Sequence, residues 1–438
     1  MDGISMNDLV PGAGDGKESF PFGKKPLYGF FGSSSLSRLG YNTAAVCVAW
    51  YVFSSTHSAI AVGIVALVES LAATAGALPA GALVDRLNRA FLVVVSMVLG
   101  AVSLGILAWF SVFYGFNLYV LMAAAAVWSI GLELFRSASS SILPDIVEPN
   151  ALPRANGMNR AISSTVGSIA NAMAGGLIIA VGVAAAVAGS AAVFAVSAVT
   201  AAFLIFPSVG GKISGREGQQ RPGRNMGMEL KEGLHWLLSE RGLWELTISA
   251  TFFNFFFSLS FSYMVIYVAA SLHADSLVYG TVLAVYAVGD VAGSLLPGYI
   301  HPLAHAGKIW VFMYGLAVGL SLLLMGALPY VPEAIILGLS IGIFAGFSGN
   351  VWLTSAQNLV PSGMRGRYFA IDGVLSFIGG PPAIATGAVL ISVIGVSSTF
   401  LLTGILMATS AMIFGSMKGL RGLDGRPRDS KTAMKLQE

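Results

Sequence analysis

The sequence predicts an all-α membrane protein with twelve transmembrane helices arranged as two six-helix pseudo-repeats. The first observation behind this is composition: of 438 residues, 55% are hydrophobic and only 10% charged, with a mean hydropathy of +0.78. A soluble domain carries roughly 25% charged residues, so most of this chain must face lipid or other helices. The second is distribution. A bilayer core about 30 Å thick requires roughly 20 apolar residues in helical form. Stretches of that size fall near 28–54, 58–84, 91–113, 117–141, 158–182, 184–206, 243–270, 276–300, 308–328, 332–356, 368–394 and 396–417. The third is internal repetition. Gly76 and Gly81 in the second stretch match Gly293 and Gly298 in the eighth, and Pro144 after the fourth matches Pro361 after the tenth, each pair 217 residues apart. Repeats of this kind underlie many transporter folds.

Each stretch reads as a helix because lipid offers the backbone no hydrogen-bonding partner. A β-barrel would alternate polar and apolar residues, and the run from Leu118 to Trp128 does not. The 53 glycines fit membrane helices, where small residues let backbones approach closely. With twelve spans, both tails and the loops after even-numbered spans share one side. The 24 Lys and Arg fall on or towards that side, and the opposite loops carry none. By the positive-inside rule this side is cytoplasmic. The expected location is therefore the cell (inner) membrane, multi-pass, with both termini inside.

The domain reading follows: a cytoplasmic tail over 1–27, a six-helix bundle over 28–206, a central loop over 207–242, a second bundle over 243–417, and a cytoplasmic tail over 418–438. The first tail is polar and glycine-rich, with no apolar core of a cleavable leader. In the central loop, residues 228–240 place Leu230, Leu234 and Leu237 on one face, the pattern of a short helix lying at a membrane surface.

Several chemistries are excluded. The net charge of +3 is too small to suggest nucleic acid, and the single cysteine, Cys47, allows neither an internal disulfide nor a cysteine-based metal site. His301 and His305 have zinc-like spacing, but Pro302 interrupts them and no third ligand is near. The GFSG of 346–349 matches an intramembrane protease nucleophile motif, yet all five histidines precede Ser348. No phosphate-binding loop is present. Neither enzyme activity nor a cofactor or metal is expected.

The second span ends in GALVDRLNRA (81–90), which resembles the G-x-x-x-D-R-x-G-R-R/K signature of the major facilitator superfamily. The segments 134–161 and 358–372, the latter with Pro361, Arg365, Gly366 and Arg367 in a P-x-x-x-R-G-R pattern, resemble the branch containing macrolide-efflux proteins and the enterobactin exporter. Asn88 stands where the family prefers glycine, and Ala90 where a second base is usual. The helix-5 antiporter motif is partly kept at Gly167, Gly175 and Gly176, with Asn171 and Ala172 in place of Gly-Pro. The resemblance spans about 28–417. It implies the major facilitator fold and alternating access, with Asp85 latching the cytoplasmic side against the start of the eleventh span.

Charge inside a bilayer is costly and marks function. Glu69, Glu133 and Asp290 lie deep in the second, fourth and eighth spans, with Arg136 placed to pair with Glu133 at i,i+3. These four and Asn171 are the candidates for proton coupling or substrate contact; the alternative is a fixed structural ion pair. Asp85, Arg86, Arg89, Arg365, Arg367 and Asp372 form the candidate cytoplasmic gate, the alternative being that the arginines only anchor topology. Phe252, Phe253, Phe255, Phe256 and Phe257 either line an apolar cavity or pack outward. The expected function is export of a small amphipathic molecule, drug- or siderophore-like, coupled to protons, by a chain acting as a monomer. An importer or facilitator of a polar metabolite, and a transport-inactive scaffold or sensor, are the rival readings.

Overall fold

A computed structural model describes residues 25–147, 152–204, 226–300, 302–361 and 364–425. Twelve helical spans run through them. The first six are α1 (Lys25–Thr56), α2 (Ala59–Arg86), α3 (Arg89–Tyr114), α4 (Leu118–Ile146), α5 (Leu152–Val181) and α6 (Val183–Leu204). A linker helix, Met226–Ser239, leads to α7, which is Arg241–Phe261 continued by Met264–Ile266 and Tyr267–Ser271. Then come α8 (Ser276–Leu295) and α9 (Ala306–Trp310, Val311–Ala317 and Val318–Ala327). The last three are α10 (Val331–Leu359), α11 (Arg365–Phe377 continued by Gly380–Ile394) and α12 (Val396–Ser416).

Eleven of these are long and apolar enough to cross a membrane; α1 is long enough, at 32 residues, but outside that set. The reason is its polar middle, where Ser33, Ser34, Ser35, Ser37, Arg38, Asn42 and Thr43 follow one another closely. Elsewhere the outer faces are apolar. On α3, Val98, Val102, Ile106, Trp109 and Phe113 are all exposed at helical spacing, a stripe that suits lipid.

The two halves repeat each other at the level of local chemistry. At the end lacking Lys and Arg, α1 and α7 stop at His57 and His273, both in the left-handed region with φ of 50°. The next helices begin on side-chain caps. Ser58 accepts from Ala61 N (3.2 Å), and Asp275 accepts from Leu277 N and Val278 N (3.1 Å each). Gly182 and Gly395, with φ of 80° and 82°, make the equivalent tight turns between α5 and α6 and between α11 and α12. The anchors read from the sequence also act alike: Gly76 of α2 packs on Ile130 of α4, and Gly293 of α8 packs on Ile343 of α10.

Small residues decide how closely helices meet. Phe194 of α6 fills the space left by Gly40 of α1 and Gly100 of α3. Between α8 and α10 the backbones meet directly at four glycines: Gly289 and Gly293 face the backbone of Leu339 and Ile343, while Gly342 and Gly346 face the backbone of Tyr286 and Asp290. This reciprocal arrangement is small-xxx-small packing applied on both helices.

The linker helix docks on α11 rather than lying free. Gly233 meets Ile371, Trp236 sits edge-on to Tyr368, and Glu232 pairs with Arg367 at 3.1 Å. Leu237 is fully buried whereas Leu234 stays 38% exposed, so the packed face differs from the leucine face expected; the side chain of Leu230 lies outside the described residues. Beyond α12, a short turn of helix (Lys418–Arg421) folds under the second half. Leu420 N–H donates to the buried Glu245 carboxylate (2.9 Å), and Asn358 Nδ2 donates to Gly425 O (2.9 Å).

Candidate functional site

The two halves meet at the end that lacks basic residues. Gly175 of α5 lies against the Ser276 and Leu277 backbone, and Gly280 of α8 lies against Asn171 and Gly175. Ser276 Oγ donates to Gly175 O (3.0 Å). On the other flank Gly63 of α2 receives the Tyr263 hydroxyl and Ala388 of α11, and the same hydroxyl donates to Ile384 O. Trp50 of α1 stacks on Tyr279 of α8 with ring centroids 6.3 Å apart. These contacts seal that end.

Towards the basic end the halves part around a cavity of about 630 Å³, and a smaller one of about 490 Å³ adjoins it within the first half; the two share Arg38, Asn159 and Ser163. The smaller reaches Leu143 and Asn156, within the last turn of α4 and the first two turns of α5. It contains Glu133 and Arg136, paired at 2.8 Å, together with Ser137 and Ser140. The larger is walled on one side by Asn42, Ser164 and Asn171 from the first half, and on the other by Phe261, Tyr279, Tyr286 and Asp290 from the second. Polar side chains from α1 and α5 therefore face aromatic rings and one carboxylate from α7 and α8. Phe261 and Tyr286 are in ring contact at 4.6 Å, and Phe257 stacks on Phe261 at 4.8 Å.

Of the proton or substrate candidates, Glu133, Arg136, Asn171 and Asp290 thus fall on one connected cavity system. Glu69 lies beside it, within electrostatic reach of Tyr41 on α1 and of the cavity residue Tyr279. Asp290 is set by the glycine contact of α8 and α10, because its own backbone rests on Gly346. Of the phenylalanine cluster, Phe252 faces outward at 49% exposure and Phe253 is buried against Tyr314 and Phe414. The ring that lines the cavity is Phe261, one turn beyond that cluster.

The gate candidates occupy separate places. The side chains of Asp85 and Pro144 lie outside the described residues, as do the surroundings of Gly81 and the whole of His301. Arg86 is exposed. Arg89 donates to Ser141 O on α4 (3.0 Å), Arg365 Nε to Val360 O (3.1 Å), and Arg367 pairs with the linker helix. Asp372 is 2% exposed inside the second half, where Thr247 Oγ1 donates to it at 2.7 Å. Each of these contacts stays within one half or joins it to the linker. Asn88, where the family pattern has glycine, caps α3 by accepting from Ala90 N (2.9 Å) and Phe91 N (3.3 Å).

Sequence reasoning does not single out Arg38, which counts there only as one of the 24 bases. The structure puts it 13 residues from the start of α1, about 20 Å along the helix axis at 1.5 Å per residue, at the junction of both cavities. Its place was legible only as the basic member of the polar run that sets α1 apart.

Comparison with known proteins agrees with this architecture. Residues 30–383 match the model of the Major Facilitator Superfamily. Macrolide efflux protein A of Streptococcus pyogenes is 22% identical over 422 residues, covering 92% of this chain and 98% of that protein. Among solved structures, a bacterial homologue of the human lysosomal transporter Spinster, in an inward-facing and unoccupied conformation, superposes with a TM-score of 0.66 at 14% identity, covering 93% of this chain and 99% of that one. A POT family transporter in complex with 5-aminolevulinic acid gives a TM-score of 0.63 at 13% identity, with 88% and 94% covered. The repeated halves, the cavity between them and the match over most of the chain agree: this protein belongs to the Major Facilitator Superfamily of membrane transporters.

Proposed function

We propose that the chain exports a small amphipathic molecule from the cytoplasm, driven by protons, through alternating access to the cavity between its halves. The observation that carries this reading is the cavity itself: two-sided, partly aromatic, sealed by glycine contacts at one end and parted at the basic end. With the basic end cytoplasmic, the structure stands for the state that loads from inside. Its volume of about 630 Å³ suits a drug-sized ligand. Export also accords with the macrolide efflux relative, which covers nearly the whole chain.

In this mechanism ligand binding between the walls draws the basic ends together, while the opposite seam opens. Close packing of α5 on α8 and of α2 on α11 holds that seam, with the Ser276–Gly175 hydrogen bond across it. One interhelical hydrogen bond in a membrane protein contributes about 0.6 kcal/mol, and on the α5–α8 flank Gly175 and Gly280 rest on backbone rather than on interlocking side chains. Asp290 is the first choice for the proton carrier, since its cavity would be hydrated from one side and then the other. Glu69 is the second. Glu133 ranks behind both because Arg136 engages it. The gate role of Asp85, Arg86, Arg89, Arg365, Arg367 and Asp372 belongs to the closed-inside state, when the two sets of loops would meet.

The amides and hydroxyls of Asn42, Asn159, Asn171 and Ser164 favour one other reading, a facilitator or importer of a polar metabolite. The test for both is transport in proteoliposomes with an imposed pH gradient, over a panel of amphipathic and polar compounds. Gradient-driven movement of amphipathic compounds against their own gradient is expected. Equilibration of polar compounds only, indifferent to the pH gradient, would replace export with facilitation.

A further inference from the structure

We infer that Arg38 is the recognition point for an anionic group, and that the cavity takes amphiphilic organic anions. This rests on the transport reading and specifies its ligand. Three observations carry it. First, Arg38 stands mid-helix in the membrane interior, lines both cavities, and is open to them. Secondly, among the described residues no carboxylate lies within ion-pair distance of its guanidinium; Glu133, the acid on the same side of the cavity system, is engaged by Arg136 at 2.8 Å. Arg38 thus stands within electrostatic reach of a second guanidinium, Arg136, whose carboxylate partner is Glu133. A charge at such depth is ordinarily paired, and a ligand anion supplies the missing partner with the bidentate geometry that guanidinium prefers. Thirdly, the surroundings match the rest of such a ligand. Asn159 and Ser163 flank Arg38 with further donors, while Phe261 and Tyr286 offer rings to an apolar body across the cavity.

The test uses the full chain in phosphatidylcholine nanodiscs and three probes of equal length: a naphthylalkanoate, its carboxamide and its primary amine. The carboxylate is expected to bind at least tenfold more tightly than the carboxamide. Arg38→Gln is expected to abolish that preference, and Arg38→Lys to keep part of it. A measurement independent of these variants uses Ser163→Cys in a Cys47→Ser background, where only the carboxylate should protect the new thiol from labelling. Equal affinities for carboxylate and carboxamide, no carboxylate binding, or an unchanged preference in folded Arg38→Gln would overturn the inference. Repeating the assay with phosphatidylglycerol separates the two sources of such an anion: suppression of probe binding marks a lipid head group as occupant, and persistence marks a soluble amphiphile, both consistent with the subsite. Flux of the same probes in proteoliposomes separates this inference from the reading beneath it. Amine export without carboxylate preference overturns the subsite alone, and carboxylate binding without flux overturns transport alone.

Discussion

Asp290 and Glu133 belong to one cavity system but differ in their company. Glu133 has a guanidinium 2.8 Å away, so giving up or taking on a proton means breaking an ion pair. Asp290 stands among tyrosine and phenylalanine rings on the opposite wall, where a change of access changes its hydration. A ranking of variants follows. Asp290→Asn should abolish substrate-induced proton movement, Glu69→Gln should reduce it several-fold, and Glu133→Gln should retain most of it. Proton release from protein in lightly buffered proteoliposomes, measured on substrate addition, checks the order; full coupling in all three variants would place the carrier elsewhere. The acids were legible in the sequence because acidic residues are rare within apolar runs. Arg38 was not, because the one-sided distribution of bases already gave it a reason to exist, and which wall a residue faces depends on neighbours that the chain brings in from far away. Tyr279 and Tyr286 were equally silent, since aromatic residues pack in cores as readily as they line cavities.

Helices α8 and α10 show the same limit one level up. Their glycines were visible as a repeat anchor at Gly293, and the two spans were visible as helices, but the direct contact of their backbones was not. It depends on Gly289, Gly293, Gly342 and Gly346 facing one another. Leucine at Gly346 would drive a side chain into the backbone of Asp290. The expected cost is about 1–3 kcal/mol, the usual range for overpacking, and a lowered midpoint of thermal unfolding in detergent would show it. Because the same contact seats Asp290, proton coupling should fall further than expression does. An unaltered midpoint and unaltered coupling would mean that the helices can separate freely. The linker helix teaches a related lesson: its amphipathic pattern announced a helix, but Gly233 and Leu237, not Leu234, make the packed face, because the groove on α11 admits a glycine.

For the whole molecule, hydropathy and one-sided bases made the twelve spans and their repeat readable, and family signatures in the loops made the fold readable. The parting of the halves was not, since a transporter sequence encodes both ends of its cycle. If the seam holds the inward state, Ser276→Ala should shift the conformational balance by roughly threefold, the equivalent of about 0.6 kcal/mol. Reactivity of an Asn171→Cys thiol towards a membrane-impermeant reagent added outside would report the shift. No change would show that the hydrogen bond to Gly175 contributes nothing to closure. Orientation has its own check: thiols introduced at Ser5 and Ser430 should be shielded from an external reagent in intact cells, and labelling of either would invert the proposed direction of transport.

The polarity of α1 has a consequence for biogenesis. Insertion of a lone helix is governed by its summed transfer free energy, and a central arginine adds about 3 kcal/mol on that scale, several times what a leucine returns. Arg38, with the serines and Asn42 around it, leaves α1 outside the set of spans apolar enough to cross unaided. It is therefore expected to lodge poorly in the bilayer when it leaves the ribosome and to settle only when α5 and α6, its packing neighbours, have followed. A glycosylation-mapped insertion reporter should show α1 alone failing to integrate and the segment from α1 to α6 integrating fully; efficient insertion of isolated α1 would contradict this. The side chain that equips the finished cavity would then be the one that delays its own helix, and the N-terminal half would reach the membrane as a cohort, with its first-made span among the last to find its place.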